Sequence, residues 1–71
     1  MLETRNERFK RLAVSRTNAV LERIRILSNL SSRANYDFSA EEVSKIFSAI
    51  DSEIRTAKAK FSDNKKRDFK L

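Results

Sequence analysis

The chain has 71 residues, with 16 Lys and Arg against 10 Asp and Glu, and it contains no Gly, Pro, Cys, His or Trp. These absences exclude imidazole and thiol catalysis, disulfide bonds, zinc or haem sites built on His or Cys, and the Gly-rich loops that bind phosphate groups. We therefore expect a non-enzymatic protein with no catalytic residue, metal site, cofactor or small-molecule substrate. A chain of this size buries only about 60% of its unfolded surface. Because it lacks the disulfides and metal sites that stabilise other small domains, we expect it to self-associate.

The first predicted helix runs from residue 5 to about residue 32. Thr4 and Glu7 have the spacing of a capping box, in which each side chain accepts a hydrogen bond from the other residue's backbone N–H. On a helical wheel the apolar residues of this helix cover about 240°, which is more than one partner helix can bury. We therefore expect the helix to pack against the second helix and also against a second copy of the chain. The predicted protein-interface residues are Val14, Leu21, Ile26 and Tyr36.

The second predicted helix follows a turn at residues 33–39 and runs from residue 40 to about residue 61. Ser39 and Glu42 form a second capping-box pair. Apolar residues recur at three- and four-residue steps and form one stripe of about 100° on the wheel. The stripe consists of Val43, Ile46, Phe47, Ile50, Ile54, Ala57 and Phe61. The Ser-Asp-Asn sequence at 62–64 predicts the end of the helix, and residues 62–71 then form a basic tail.

These elements predict an all-α fold. Because the connection between the helices is short, we expect them to form an antiparallel hairpin, with residues 1–71 as a single domain. The wide apolar arc of the first helix predicts that two hairpins dimerise into a four-helix bundle.

In such a hairpin, the positive charge collects at the end that holds both termini. Residues 1–18 and 55–71 together carry twelve basic and four acidic residues, a net charge of +8, whereas residues 19–54 have a net charge of −2. This asymmetry is typical of a protein that binds a polyanion such as nucleic acid. The alternative is that these side chains only solvate exposed helix. The predicted nucleic-acid-binding residues are Arg5, Arg8, Lys10, Arg11, Arg16, Arg55, Lys58, Lys60, Lys65, Lys66 and Arg67.

Two arginines interrupt the apolar arc of the first helix. Arg16 and Arg23 are seven residues apart and project from nearly the same side as the neighbouring apolar residues. A buried guanidinium requires a partner, and antiparallel pairing brings Asp51 and Glu53 within reach. We predict structural ion pairs among these four residues. The alternative is a groove in which the arginines bind a phosphate or a partner's carboxylate.

A local pattern of residues occurs at the start of the second helix. Tyr36-Asp37-Phe38-Ser39 is followed by Glu42-Val43, then by Phe47-Ser48-Ala49 and Asp51. This pattern resembles the turn-to-helix segment of the Hha/YmoA family of small bacterial nucleoid-associated modulators. The resemblance covers residues 36–51 and implies a modulator that acts by binding a DNA-silencing partner protein. The first helix here is longer than that of the family, and the family's further C-terminal helix is not predicted.

We expect the function to be binding of nucleic acid or a nucleoprotein complex through the basic end. No helix-turn-helix, zinc-finger or RNA-recognition motif is present, so we expect phosphate contacts and little reading of base sequence. The alternative is a protein-only adaptor, modulator or inhibitor, of the kind that phages and mobile elements encode, which binds a partner through the apolar face of the first helix. Attachment to an anionic membrane surface is a weaker third interpretation. No apolar run is long enough for a signal peptide or a membrane span, so we expect a cytoplasmic protein.

Overall fold

The computed structural model describes residues 2–66 of the chain and the side chains of residues 2–62. It contains two α-helices, α1 at Arg5–Ser28 and α2 at Ala40–Lys66. No residue in the described range belongs to a β-strand. The predicted all-α fold is therefore confirmed. The chain divides between Asp37 and Phe38 into two structural units, each of which contains one of the helices.

Helix α1 begins at the predicted capping box. The Glu7 backbone N–H donates to Thr4 Oγ1 at 3.0 Å, and the Thr4 backbone N–H donates to Glu7 Oε1 at 2.9 Å. These two bonds satisfy N–H groups that have no partner within the first turn of a helix. The 24 residues of α1 give it a length of about 36 Å.

The end of α1 differs from the prediction. The α-helix stops at Ser28, and residues Asn29–Ser31 form one turn of 3₁₀ helix. The backbone N–H of Asn29 donates to the carbonyls of both Ile26 and Leu27, and these bonds to nearby acceptors tighten the last turn. The Ser28 hydroxyl also donates to the Arg25 carbonyl at 2.7 Å. The predicted helix therefore changes geometry four residues before its expected end, because backbone bonds to nearer carbonyls replace the α-helical ones.

The connection to α2 is a tight turn. The backbone N–H groups of Asn35 and Tyr36 both donate to the Ser32 carbonyl, at 3.1 and 2.9 Å. No described residue has a positive φ angle. The turn therefore needs no residue in the left-handed region, which explains how a chain without glycine can form it.

Helix α2 also begins at its predicted capping box. The Glu42 backbone N–H donates to Ser39 Oγ at 3.0 Å, and the Ser39 backbone N–H donates to Glu42 Oε1 at 2.8 Å. The helix continues to Lys66, five residues beyond the predicted end. Residues 62–64 are helical and do not stop α2, because neither Gly nor Pro is present to enforce a stop. The first five residues of the predicted basic tail therefore belong to α2.

No residue between 2 and 62 is buried. The half-buried residues are Leu12, Ala13, Leu27, Ser32, Phe38, Val43 and Ile50. Each unit is therefore held together by helical backbone hydrogen bonds and local caps. Helices of this length are beyond the roughly 12–15 residues below which an isolated helix is marginal, but most helical stability in proteins comes from packing of an apolar face.

Candidate interaction surfaces

The start of α1 carries most of the described positive charge of the first unit. Arg5, Arg8, Lys10 and Arg16 are all exposed, and none forms an ion pair with the described residues of its own unit. Two of these cations, Arg5 and Arg8, lie in the first turn of the helix. The partial positive charge at a helix N-terminus disfavours cations there by about 0.3–1 kcal/mol. Helix stability therefore does not explain why arginines occupy these positions.

Arg11 differs from the other basic residues in the first half of α1 because it has an acidic partner. Its Nε and Nη2 atoms donate to the two carboxylate oxygens of Glu3, at 2.8 and 3.0 Å. This bidentate bond lowers the pKa of the Glu3 carboxyl and raises the pKa of Arg11. Both side chains remain exposed, so the pair is accessible to solvent and salt. Arg11 is therefore less available to a polyanion than its neighbours.

The basic residues of α1 surround the helix. At 100° per residue, Arg11 lies on the polar side and Arg8 lies at an edge of the apolar arc, whereas Arg5, Lys10 and Arg16 lie within the arc. A helix that reads base edges presents its contacts on one face. This distribution instead favours contacts with phosphates from several directions.

Five of the six basic residues of α2 occur in its second half, and the sixth, Lys45, lies near its start. Arg55, Lys58 and Lys60 are exposed, and the positions of Lys65 and Lys66 are the last two of the helix. Cations near a helix C-terminus interact favourably with the helix dipole. This effect falls off within the last turn, and Arg55, Lys58 and Lys60 lie six or more residues before the end of α2, so it does not explain them. Arg67, the last predicted binding residue, lies outside the described residues.

The predicted interface residues of α1 are exposed. Val14, Leu21 and Ile26 retain 61%, 45% and 48% of their accessible surface. Val14 and Leu21 lie on one side of the main apolar arc, and Ile26 lies near its opposite edge. Tyr36, in the turn, is about half exposed as well. All four side chains are available for contact with a partner.

The apolar stripe of α2 is also largely exposed. Its exposed members are Ile46, Phe47, Ile54, Ala57 and Phe61, and its half-buried members are Val43 and Ile50. An exposed apolar stripe of this length is typical of an interaction surface.

The four residues of the predicted ion pairs are exposed side chains on two different helices. Arg16 and Arg23 belong to α1, and Asp51 and Glu53 belong to α2. An ion pair between these residues would join the two units, and it stays a prediction. The first unit contains a different exposed pair, in which Arg25 Nη1 donates to Glu22 Oε1 at 2.8 Å. The three-residue spacing of this pair is a signal that sequence reasoning could have used.

The described residues show no feature of a metal site or a membrane span. No group of three or more Asp, Glu, His or Cys side chains among them is placed to hold a metal ion. Within the same range, neither helix is both long and apolar enough to cross a membrane.

Comparison with protein-family models, with curated proteins and with solved structures finds no match to this chain. The likeness of residues 36–51 to the Hha/YmoA family therefore remains a local resemblance.

Proposed function

We propose that this chain is a small, non-enzymatic, self-associating protein that binds nucleic acid, or a nucleoprotein complex, through its basic end. In this proposal α1 and α2 form an antiparallel hairpin, and two hairpins form a four-helix bundle. We further propose that the protein is cytoplasmic.

The exposure of the apolar side chains supports the self-association. Thirteen large hydrophobic residues are exposed among those described, on both helices and in the turn. Complete burial of one such side chain contributes about 1.5–3 kcal/mol. The eight residues between Ser31 and Ala40 give the chain room to reverse direction. A bundle would bury apolar surface that neither helix can bury alone.

The observation that carries the nucleic-acid proposal is the presence of exposed arginines at the N-terminus of α1, where helix electrostatics disfavours them. In a hairpin, this terminus lies beside the basic second half of α2. The two segments then form one surface with the net charge of +8 counted over residues 1–18 and 55–71. Such a surface attracts nucleic acid through phosphate contacts and the release of condensed counterions.

A titration at two salt concentrations tests the proposal. Labelled DNA and RNA oligomers of unrelated sequence are titrated with the protein in about 50 mM and about 200 mM salt, and binding is followed by fluorescence anisotropy. We expect similar affinities for unrelated sequences and a steep loss of affinity at the higher salt. Absence of binding to both nucleic acids at low salt would remove the proposal.

A charge-matched pair of variants locates the surface. Replacing Arg5, Arg8 and Lys10 by Gln should weaken binding and reduce the salt slope for duplex DNA by up to about 2.7, because each lost phosphate contact reduces it by about 0.9. The control replaces three basic residues outside the basic end by Gln, namely Arg25, Arg33 and Lys45. It removes the same charge and should retain most of the slope. Equal losses in both variants would mean that only the net charge matters.

A second function is favoured by the exposure of Val14, Leu21 and Ile26. We propose as the alternative that this face of α1 inserts into a protein partner, so that the chain acts as an adaptor, modulator or inhibitor. Binding of this kind buries apolar surface and depends little on salt. A stable monomer in light scattering, together with no affinity for nucleic acid, would favour this alternative because the apolar face would remain available.

A further inference from the structure

One row of side chains on α2 has the spacing of a coiled-coil seam. It consists of Val43, Phe47, Ile50, Ile54, Ala57 and Phe61, which alternate steps of four and three residues. This apolar row extends for about 27 Å along α2. Apolar residues at alternating three- and four-residue steps form the contact line between paired helices. Phe47 and Ile54, near the middle of the row, each retain 45% of their accessible surface.

Charged residues flank the apolar row on both sides. Asp51 and Lys58 lie along one side, Glu53 and Lys60 lie along the other, and all four side chains are exposed. Neither Glu53 nor Lys58 has an oppositely charged residue three or four positions away. Ion pairs within the helix therefore do not account for these two charges. Charges beside a coiled-coil seam commonly set the choice and the orientation of the partner helix.

We propose that α2 of a second copy packs antiparallel against the first α2, centred between residues 55 and 56, so that the apolar residues from Ile50 to Phe61 of the two copies face one another. In this register Ile54 lies opposite Ala57 of the second copy. Asp51 then faces Lys58 of the second copy, and Glu53 faces its Lys60. The twofold symmetry of a dimer repeats each attraction, which gives four opposite-charge pairs. The inference rests on the self-association proposed above and adds to it the contacting helix, its direction and its register.

Other arrangements of the same two helices pair the charges less well. An antiparallel register shifted by seven residues places Ile54 opposite Ile50 of the second copy, and then Asp51 meets Asp51 and Glu53 meets Glu53. Like charges opposite one another are destabilising. A parallel pair brings Glu53 to Lys58 of the second copy but brings Lys60 to the level of position 65, which is also a lysine. Charge complementarity therefore favours the antiparallel register centred between 55 and 56.

Two charge-reversal variants of the full chain test the pairing. Glu53→Lys places Lys opposite Lys60 of the second copy, and Lys60→Glu places Glu opposite Glu53. Each variant alone should self-associate several-fold more weakly at low salt. In an equimolar mixture, both contacts become attractive between unlike chains. Native mass spectrometry should therefore detect more mixed dimer than the half that random pairing produces.

The control reverses a charge on the opposite side of α2. Lys45 lies across the helix from the apolar row, so Lys45→Glu should leave the dimerisation constant nearly unchanged. If Lys60→Glu alone strengthens self-association, or if the mixture pairs at random, the antiparallel register is wrong. Circular dichroism at 222 nm establishes that each variant keeps its helical content.

A distance measurement decides the register without any charge change. The chain contains no cysteine, so Ser44→Cys provides a single site for a spin label. The proposed register separates the two copies of position 44 by about 35 Å, the shifted antiparallel register by about 25 Å, and a parallel pair by about 10 Å. A dimer with either shorter distance overturns this inference and leaves the proposed self-association intact. A monomer at all concentrations overturns both.

Discussion

The capping box at the start of α2 is the local feature whose contribution can be predicted most directly. Ser39 Oγ accepts from the Glu42 backbone N–H at 3.0 Å, and the Glu42 side chain accepts from the Ser39 backbone N–H at 2.8 Å. Ser39→Ala removes the first of these bonds and leaves a first-turn N–H without its protein partner. We expect the variant to be less stable than the parent chain.

The size of the effect follows from known helix caps. Replacing a Ser cap by Ala costs about 1 kcal/mol, within a range of roughly 0.5–2 kcal/mol. For a domain of this size, 1 kcal/mol lowers the midpoint of thermal unfolding by about 4–8 °C. Unfolding should be followed by circular dichroism at one fixed protein concentration, because self-association makes the midpoint depend on concentration.

Two control variants distinguish the loss of the helix cap from the loss of a serine hydroxyl as such. Ser39→Asp keeps a cap acceptor and should melt near the parent temperature. Ser44→Ala removes an exposed serine from the interior of the same helix, where Ala has the higher helix propensity, so its midpoint should not fall. If Ser39→Ala and Ser44→Ala melt at the same temperature, the cap contributes nothing and the reasoning fails.

Three further predictions concern the exposed pairs and the apolar row. Arg11→Gln should raise the Glu3 pKa toward its ordinary value of 4.5 in an NMR titration. In the parent chain, the stabilisation from this pair is present above pH 4.5 and is lost as the pH falls through the lowered pKa of Glu3 in the folded chain. An unchanged Glu3 titration would contradict the observed bond. Ile54→Ala should weaken self-association at least tenfold in sedimentation equilibrium, because burial of one large side chain contributes about 1.5–3 kcal/mol. A dimer of unchanged affinity would exclude the apolar row as the interface. Arg25→Ala should change the free energy of unfolding in urea by less than about 0.5 kcal/mol, because its pair with Glu22 is exposed, and a larger loss would mean that Arg25 has another role.

The starts of both helices could be predicted because the interactions that define them are local. Thr4 with Glu7 and Ser39 with Glu42 are each three residues apart, and each pair forms the reciprocal bonds that its spacing predicts. A capping box needs no contact from elsewhere in the chain. Its recognition in the sequence is therefore sufficient to place the start of the helix.

The ends of the helices were harder to predict because no residue enforces them. Without Gly or Pro, the choice between α-helical, 3₁₀ and irregular backbone depends on small differences in hydrogen bonding. At Asn29, the bonds shift to nearer carbonyls and α1 ends early. In α2, no Gly or Pro follows Phe61, and the helix extends to Lys66.

The candidate surfaces, like the helix boundaries, could be predicted from the sequence only in part. The sequence identified the exposed cations of α1 and the apolar faces of both helices, since periodicity assigns each residue to a side of its helix. It did not identify the pairing of Glu3 with Arg11. Glu3 precedes the helix cap, so helical periodicity does not extend to it, and the path of the chain before Thr4 decides which side chain it reaches.

The sequence by itself determined that this chain forms two long helices, where each one starts, and which side of each helix is apolar, because these properties depend on residues within one or two turns of each other. Only the three-dimensional structure showed where the helices end, that Arg11 pairs with the Glu3 carboxylate, and how much of each apolar face remains exposed. These properties depend on backbone geometry and on contacts that residue spacing does not specify. Two observations are the physical basis for proposing that this protein functions by binding. The apolar faces of both helices are exposed, and arginines occupy the start of α1, where the helix dipole disfavours positive charge.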